Sequence, residues 1–345
     1  PVSVDMLTVG GMDVTAFAGL NGNSSDPLGL SLGGVEFGLA LMSHKNDQSH
    51  KWTSLKATAK SASFVGLEDF TVSGSGLEVE INQASSVDGP VVNYKNKGLD
   101  IITGTATDDV MALDMDGSER ELLKASGNLE LGVGDFFHVR GDFGFEKKSA
   151  EVFLNGSQTP VSVDMLTVGG MDVEAFVGLN GGDSSNKLGL SLKGANFALA
   201  LMTDESNSSR KWTSLKAEAD EMSFEGLDDF TVSGSGLEVE INQASSGNGP
   251  VVNYSGSPLQ IEGSEVELDM DGSKGALLKA SGNIDLGVGD FFHVSGDFGF
   301  EKKPEEVVLS DGSKVSVDML TVGAKDVTAF AGLNGNSSDR LGLSI

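Results

Sequence analysis

The chain has 345 residues, a formal net charge of −28, 47 glycines and no cysteine. That charge opposes nucleic acid and anionic membranes as partners, since both need clustered Lys and Arg. Without thiols, burial and hydrogen-bonded ladders must hold the fold. No apolar run approaches the ~18 residues of a membrane-spanning helix, and glycine without a Gly-X-Y period excludes collagen.

Taken in order, the pattern predicts strands over Val2–Val9, Met12–Leu20, Leu28–Met42 with a break at Gly33-Gly34, Trp52–Val65 and Phe70–Gln83. Shorter ones follow at Val91–Tyr94, Leu99–Ile102 and Val110–Asp114, then Leu122–Val133, Phe136–Lys147 and Val152–Leu154. Apolar residues recur with period two, the mark of strands with one buried and one wet face. No segment reads as a helix. Across Gly74-Ser75-Gly76, Phe70 and Val72 fall out of phase with Leu77, Val79 and Ile81. A phase change of one residue needs a bulge if both halves are to face one core.

The clearest unit is Leu123–Lys148, LKASGNLELGVGDFFHVRGDFGFEKK, with a twin at Leu278–Lys303. Leu123, Ala125, Gly127, Leu129, Leu131 and Val133 share one side, and after Gly134-Asp135 the pattern resumes with Phe137, Val139, Gly141, Phe143 and Phe145. This predicts a hairpin with arms of about 36 Å and that apolar side buried. Its waist, with Gly127 opposite Gly141, predicts a crease where backbones approach closely and the sheet folds over its own large residues; the alternative is a flat sheet covered by another layer. Gly144 reads as exposed.

These elements repeat. PVSVDMLTVGGMDV at Pro1 returns at Pro160 and, altered, at Lys314; KWTSLKA recurs at Lys51 and Lys211, and GVGDFFHV at Gly132 and Gly287. The repeats are 1–159, 160–313 and the start of a third at 314–345, consistent with an excerpt of a longer array. No linker composition separates them. Hairpin chaining predicts an all-β, extended antiparallel meander, a solenoid-like rod of long creased hairpins. Ten strands per period stacked along the rod would advance it by about 40–50 Å. Differences between copies fall in Asn21–Pro27, Ser43–Lys51, Ser86–Gly89 and Lys95–Asp109, read as surface loops.

Chemistry-bearing motifs are few. DMDGS supplies Asp114 and Asp116, and in the second copy Asp269 and Asp271, with a partial echo at Asp311-Gly312-Ser313. Two carboxylates before a Gly can offer oxygens to Ca²⁺, and Asp-Gly is equally a turn; beyond Ca²⁺ no cofactor is indicated. His44 and His50 become Asp204 and Arg210 in the second copy, and His138 and His293 fall on the wet side of their strands. No nucleophile–base pair can be assembled, so the chain is not expected to be an enzyme.

FGLALM, KWTSLKA, GLEVEINQAS and LKASGNLELGVGDFFHVRGDFGFEKK resemble the long tandem repeats of giant bacterial surface proteins, including the LEPR-XLL type. The resemblance implies secretion, great length and a role in adhesion, cell contact or an extracellular fibre. Together these readings predict an extracellular, cell-surface structural protein whose partners are further repeats, through self-assembly into filaments or bundles. The alternative is a β-groove that holds or conducts lipid or another apolar ligand.

Overall fold

The computed structural model describes every residue except 1, 23–24, 67–69, 87–88, 182–185, 228, 247–248 and 336–337. The centres of the variable stretches Asn21–Pro27 and Ser86–Gly89 thus lie outside the described residues. The first repeat contains β1 (Val4–Leu20), β2 (Leu28–His44), β3 (Asp47–Val65), β4 (Phe70–Ala84), β5 (Leu99–Ile102), β6 (Val110–Leu113), β7 (Leu122–Val133) and β8 (Phe137–Val152). Next come β9 (Val161–Leu179), β10 (Leu188–Asp204), β11 (Asn207–Glu225), β12 (Phe230–Ala244), β13 (Leu277–Val288) and β14 (Phe292–Val308), then β15 (Lys314–Leu333) and β16 (Leu341–Ser344). Among the described residues there is no α-helix; short 3₁₀ turns occupy Gly117–Glu119 and Gly272–Lys274.

Fourteen strands form one sheet in chain order, each antiparallel to its neighbour, with β5 and β6 set apart as a two-stranded sheet. Each full repeat therefore contributes six strands to the main sheet, not ten. The ladder does not pause between repeats: β8 pairs with β9 from Phe137↔Val177 to Val152↔Val161, and β14 pairs with β15 down to Val308↔Lys314. Several expected breaks are absent. Val2–Val9 and Met12–Leu20 are one strand, and Ser43–Lys51 is the tip of the β2–β3 hairpin. Val91–Tyr94 lies outside the ladders.

A line of bulges crosses the sheet. Asp13, Gly34, Gly76, Asp172, Gly194, Gly236 and Asp326 all take left-handed backbone, with φ between 50° and 59°, a conformation open to Gly and tolerated by Asp. The register shifts beside them: Gly76 and Leu77 stand against the single Gly127, and Asp172 and Val173 against Gly141. Each bulge adds one residue, so Leu77, Val79 and Ile81 return to the side already taken by Phe70 and Val72. Gly127 and Gly141 are small because the bulged strand leans over them. A Cβ at Gly127 would stand 3.1 Å from Leu77 Cα, and one at Gly141 2.9 Å from Val173 Cα. The close approach follows the waist, but the glycines are not opposite each other; Gly127 pairs with Phe143 and Gly141 with Leu129.

The buried side differs from the sequence expectation. Leu123, Leu131, Val133, Phe137 and Phe145 remain 38–47% exposed, so the two halves of the sheet do not close over one another. The fully buried clusters lie on the opposite face, where Leu122 packs instead of Leu123. The physical reason is the segment between the fourth and fifth sheet strands of each repeat, residues 85–121 and 245–276. Its described residues fold back as a cap, and both buried clusters lie beneath the caps.

Candidate functional site

Two surfaces stand out: the cap with the sheet face below it, and the open apolar face behind. Alternation in KWTSLKA builds the first. Trp52, Ser54 and Lys56 point to the cap, while Thr53, Leu55 and Ala57 point to the open side. Trp52 Nε1 donates to Pro90 O at 2.8 Å, and Trp212 Nε1 to Pro250 O at 2.9 Å. Asn82 and Asn242 lie buried beneath. Each donates from Nδ2 to a cap carbonyl, Val92 O at 2.7 Å or Val252 O at 2.8 Å, and accepts from Ser54 or Ser214. Tyr94 completes the first network by donating to Ser54 Oγ at 2.9 Å. Burial pushes the Tyr254 hydroxyl up to about 12.

The DMDGS carboxylates serve this attachment. Asp114 pairs with Lys56 at 3.1 Å and Asp269 with Lys216 at 2.9 Å. Burial works against the Lys56 ammonium, but Glu80 and Asp114 outweigh it and raise its pKa. Asp116 accepts from Ser118 N at 2.9 Å and pairs with Lys95 at 2.6 Å, which together hold its carboxyl down at about 2. Asp271 accepts from both Ser273 N and Ser273 Oγ. The two aspartates of each motif thus face different partners, and no group of three or more His, Asp or Glu suited to a metal occurs among the described residues. The same Asp-x-Ser turn recurs at Asp47, Asp204 and Asp311.

The second cap also grips the repeat junction. Asn155 N donates to Val251 O and Asn253 N to Phe153 O, both within 3 Å, so residues 153–155 run as a short ladder against the cap. Val152 and Leu154 enter the same core as Val163, Met165, Trp212 and Leu268. Farther along β8, Gly144 is not exposed: a Cβ there would lie 2.5 Å from the Glu262 carbonyl carbon and 2.9 Å from Gly263 N. Lys124 pairs with Glu262 at 3.1 Å, joining the first repeat to the second cap. A cleft between the two caps is lined by Asp116, Lys124, Glu146, Lys148 and Glu262.

The open face is largely apolar, broken by Lys147 opposite Leu123 and Lys302 opposite Leu278. One row of directly opposed residues reads Phe37, Ala57, Val79, Ala125, Phe145, Val168, Leu199, Leu215, Ile241 and Leu278. Beyond the crease it continues with rows such as Phe70, Val133, Phe137, Val177, Leu190 and Phe224. A contiguous apolar surface of this size exceeds what monomers expose by chance. The histidines do not converge; His138 and His293 sit about two-fifths exposed beside Glu130 at 3.7 Å and Asp285 at 3.0 Å.

Sequence reasoning identified the repeat and the bulge, took the open face for the buried one, and missed the cap. Its signal was the pair of polar residues, Ser54 and Asn82, set within otherwise strand-like runs and kept in both copies as Ser214 and Asn242. No family model and no curated protein matches this chain. Among solved structures it is similar to OmpT, an outer membrane protein of Vibrio cholerae in its in vitro folded trimer form. The identity is 10%, over 95% of this chain and 99% of that one, and the TM-score of 0.23 is too low to relate the two folds.

Proposed function

We propose that the chain is a segment of a structural tandem array, an extended β-meander rod or filament at a bacterial cell surface serving adhesion, cell contact or a sheath. The observation that carries this reading is the unbroken ladder through β8–β9 and β14–β15, with the cap of one repeat gripping the last hairpin of the one before. Stability in such an array is shared between neighbours rather than held within a bead. High negative charge and the absence of thiols suit an exposed, salt-tolerant polymer. Six strands per repeat at ~4.8 Å give an advance of about 29 Å along the sheet, shorter than ten strands would give. Electron microscopy of longer arrays should show that spacing. Limited proteolysis should cut within 103–109 and leave the clamped 153–155 intact. A dominant cut between 153 and 160 that frees a stable single repeat would mean beads on a string and would overturn the proposal.

The continuous open apolar face favours a second reading, in which the array holds lipid or another apolar ligand along that face. Extraction of purified protein should then yield stoichiometric acyl chains; protein free of them would leave the structural reading alone.

A further inference from the structure

β1 and β9 share the fourteen-residue run PVSVDMLTVGGMDV, yet their surroundings differ. Met165 is 2% exposed and Val163 is sealed, whereas Met6 is 48% exposed and Val4 is half-buried. Val251 and Val252 are sealed in the second cap, while their counterparts Val91 and Val92 are half-exposed. The difference is β8 together with residues 152–155, which cover β9 from the side and reach the second cap by two backbone hydrogen bonds. At β1 both halves of that receptor, the strand edge and the cap backbone, are unfilled.

The two filled junctions also show a pairing rule. Arg140 of β8 stands opposite Glu174 of β9 and pairs with it at 2.7 Å. At the next junction Ser295 stands opposite Thr328, with the hydroxyls 2.9 Å apart. Glu174 and Thr328 occupy the same position of the repeat, and β1 carries Thr15 there. Directly opposed cross-strand residues are neighbours that interact.

We propose that β1 and the Val91–Asn93 backbone form a docking edge for one further strand of this repeat family, and that Thr15 selects the kind with serine opposite it, as in Phe292–Ser310, over the arginine kind of Phe137–Asn155. The incoming strand adds to the sheet by main-chain hydrogen bonds and is chosen by side chains. Its Val-x-Leu end, Val307 and Leu309, fills the space above Val4, Met6 and Val92. Its Gly299 passes beneath the carbonyl of Ile102, as Gly144 passes beneath that of Glu262. The proposal rests on the continuous-array reading, but its test does not depend on where proteases cut.

The experiment adds synthetic Phe292–Ser310 or Phe137–Asn155 peptide to the whole chain and reads affinity by calorimetry and protection by hydrogen exchange. The serine peptide should bind one to one, slow exchange in Val4–Leu20 and Val91–Asn93, and bind up to about fivefold tighter than the arginine peptide. Thr15→Glu should reverse that preference, and a Gly299→Val peptide should not bind. No protection of β1, protection elsewhere, or equal binding of the Gly299→Val peptide would overturn the docking edge. An unchanged preference in Thr15→Glu would overturn the selection rule. As a second readout independent of peptide solubility, fusing Phe292–Ser313 ahead of Pro1 should bury half-exposed Trp52 and blue-shift its fluorescence towards that of Trp212; unchanged emission would also overturn the proposal.

Discussion

Gly144 and Gly299 occupy the same position, in FGFEKK, of successive repeats, but only Gly144 lies beneath a cap. Replacing each with valine separates strand preference from packing. At Gly299 a Cβ meets nothing within 4 Å, and a β-branched residue in place of glycine gains about 0.5–1 kcal/mol of strand preference. At Gly144 the added carbon meets backbone of Glu262 and Gly263 at 2.5 and 2.9 Å. Backbone cannot rotate aside as a side chain can, so the cap must lift. Overpacking of this kind costs about 1–3 kcal/mol, and because the strand gain is common to both twins and cancels, that cost is also the gap between them. Hydrogen exchange at Val251–Met270 is the assay, because it reads cap opening locally where whole-chain unfolding of a repeat array need not be two-state. Gly144→Val should speed exchange there by tens of fold and Gly299→Val should leave it unchanged. Equal effects would refute the seating of the cap on β8.

Asn242→Ala should open the second cap at a cost of about 1–3 kcal/mol, because Val252 O and Ser214 Oγ lose a buried partner; hydrogen exchange of Val251–Tyr254 checks it. Gly141→Val and Gly296→Val should destabilise alike in urea, since a Cβ at either glycine falls 2.9 Å from a bulge Cα, that of Val173 or Val327. In acid, Asp116 is held at about 2 and Asp47, Asp204, Asp271 and Asp311 are also lowered. A depressed carboxyl stabilises the fold above its ordinary value near 3.8, and that contribution is lost as pH falls towards 2. Thermal melts should therefore be flat down to about pH 4 and decline below it. Millimolar Ca²⁺ should leave the melt unmoved, because Lys56, Lys95 and Lys216 already neutralise Asp114, Asp116 and Asp269; a rise that Asp116→Asn abolishes would make DMDGS a calcium site.

The strands, the repeat and the bulge were legible in the residues because they depend on local rules. Alternation with period two marks a strand whatever lies beside it, and the phase slip between Val72 and Leu77 requires one extra residue near Gly76. Chain order of the strands followed from the hairpin turns. What alternation cannot say is which face of a strand meets another layer, since both faces are written in the same run. Leu123 and Leu122 are equally apolar, and only the fold of residues 85–121 decides that Leu122 is buried and Leu123 is not. Gly144 looked like an exposed glycine because the backbone above it, Glu262 and Gly263, comes from more than a hundred residues away in the next repeat. The DMDGS carboxylates likewise have their lysine partners far off in sequence, and only the cap brings them to Lys56 and Lys216 of the sheet. Local chemistry set the strands and their kinks; long-range placement of the caps set which side of the sheet is core and which remains open.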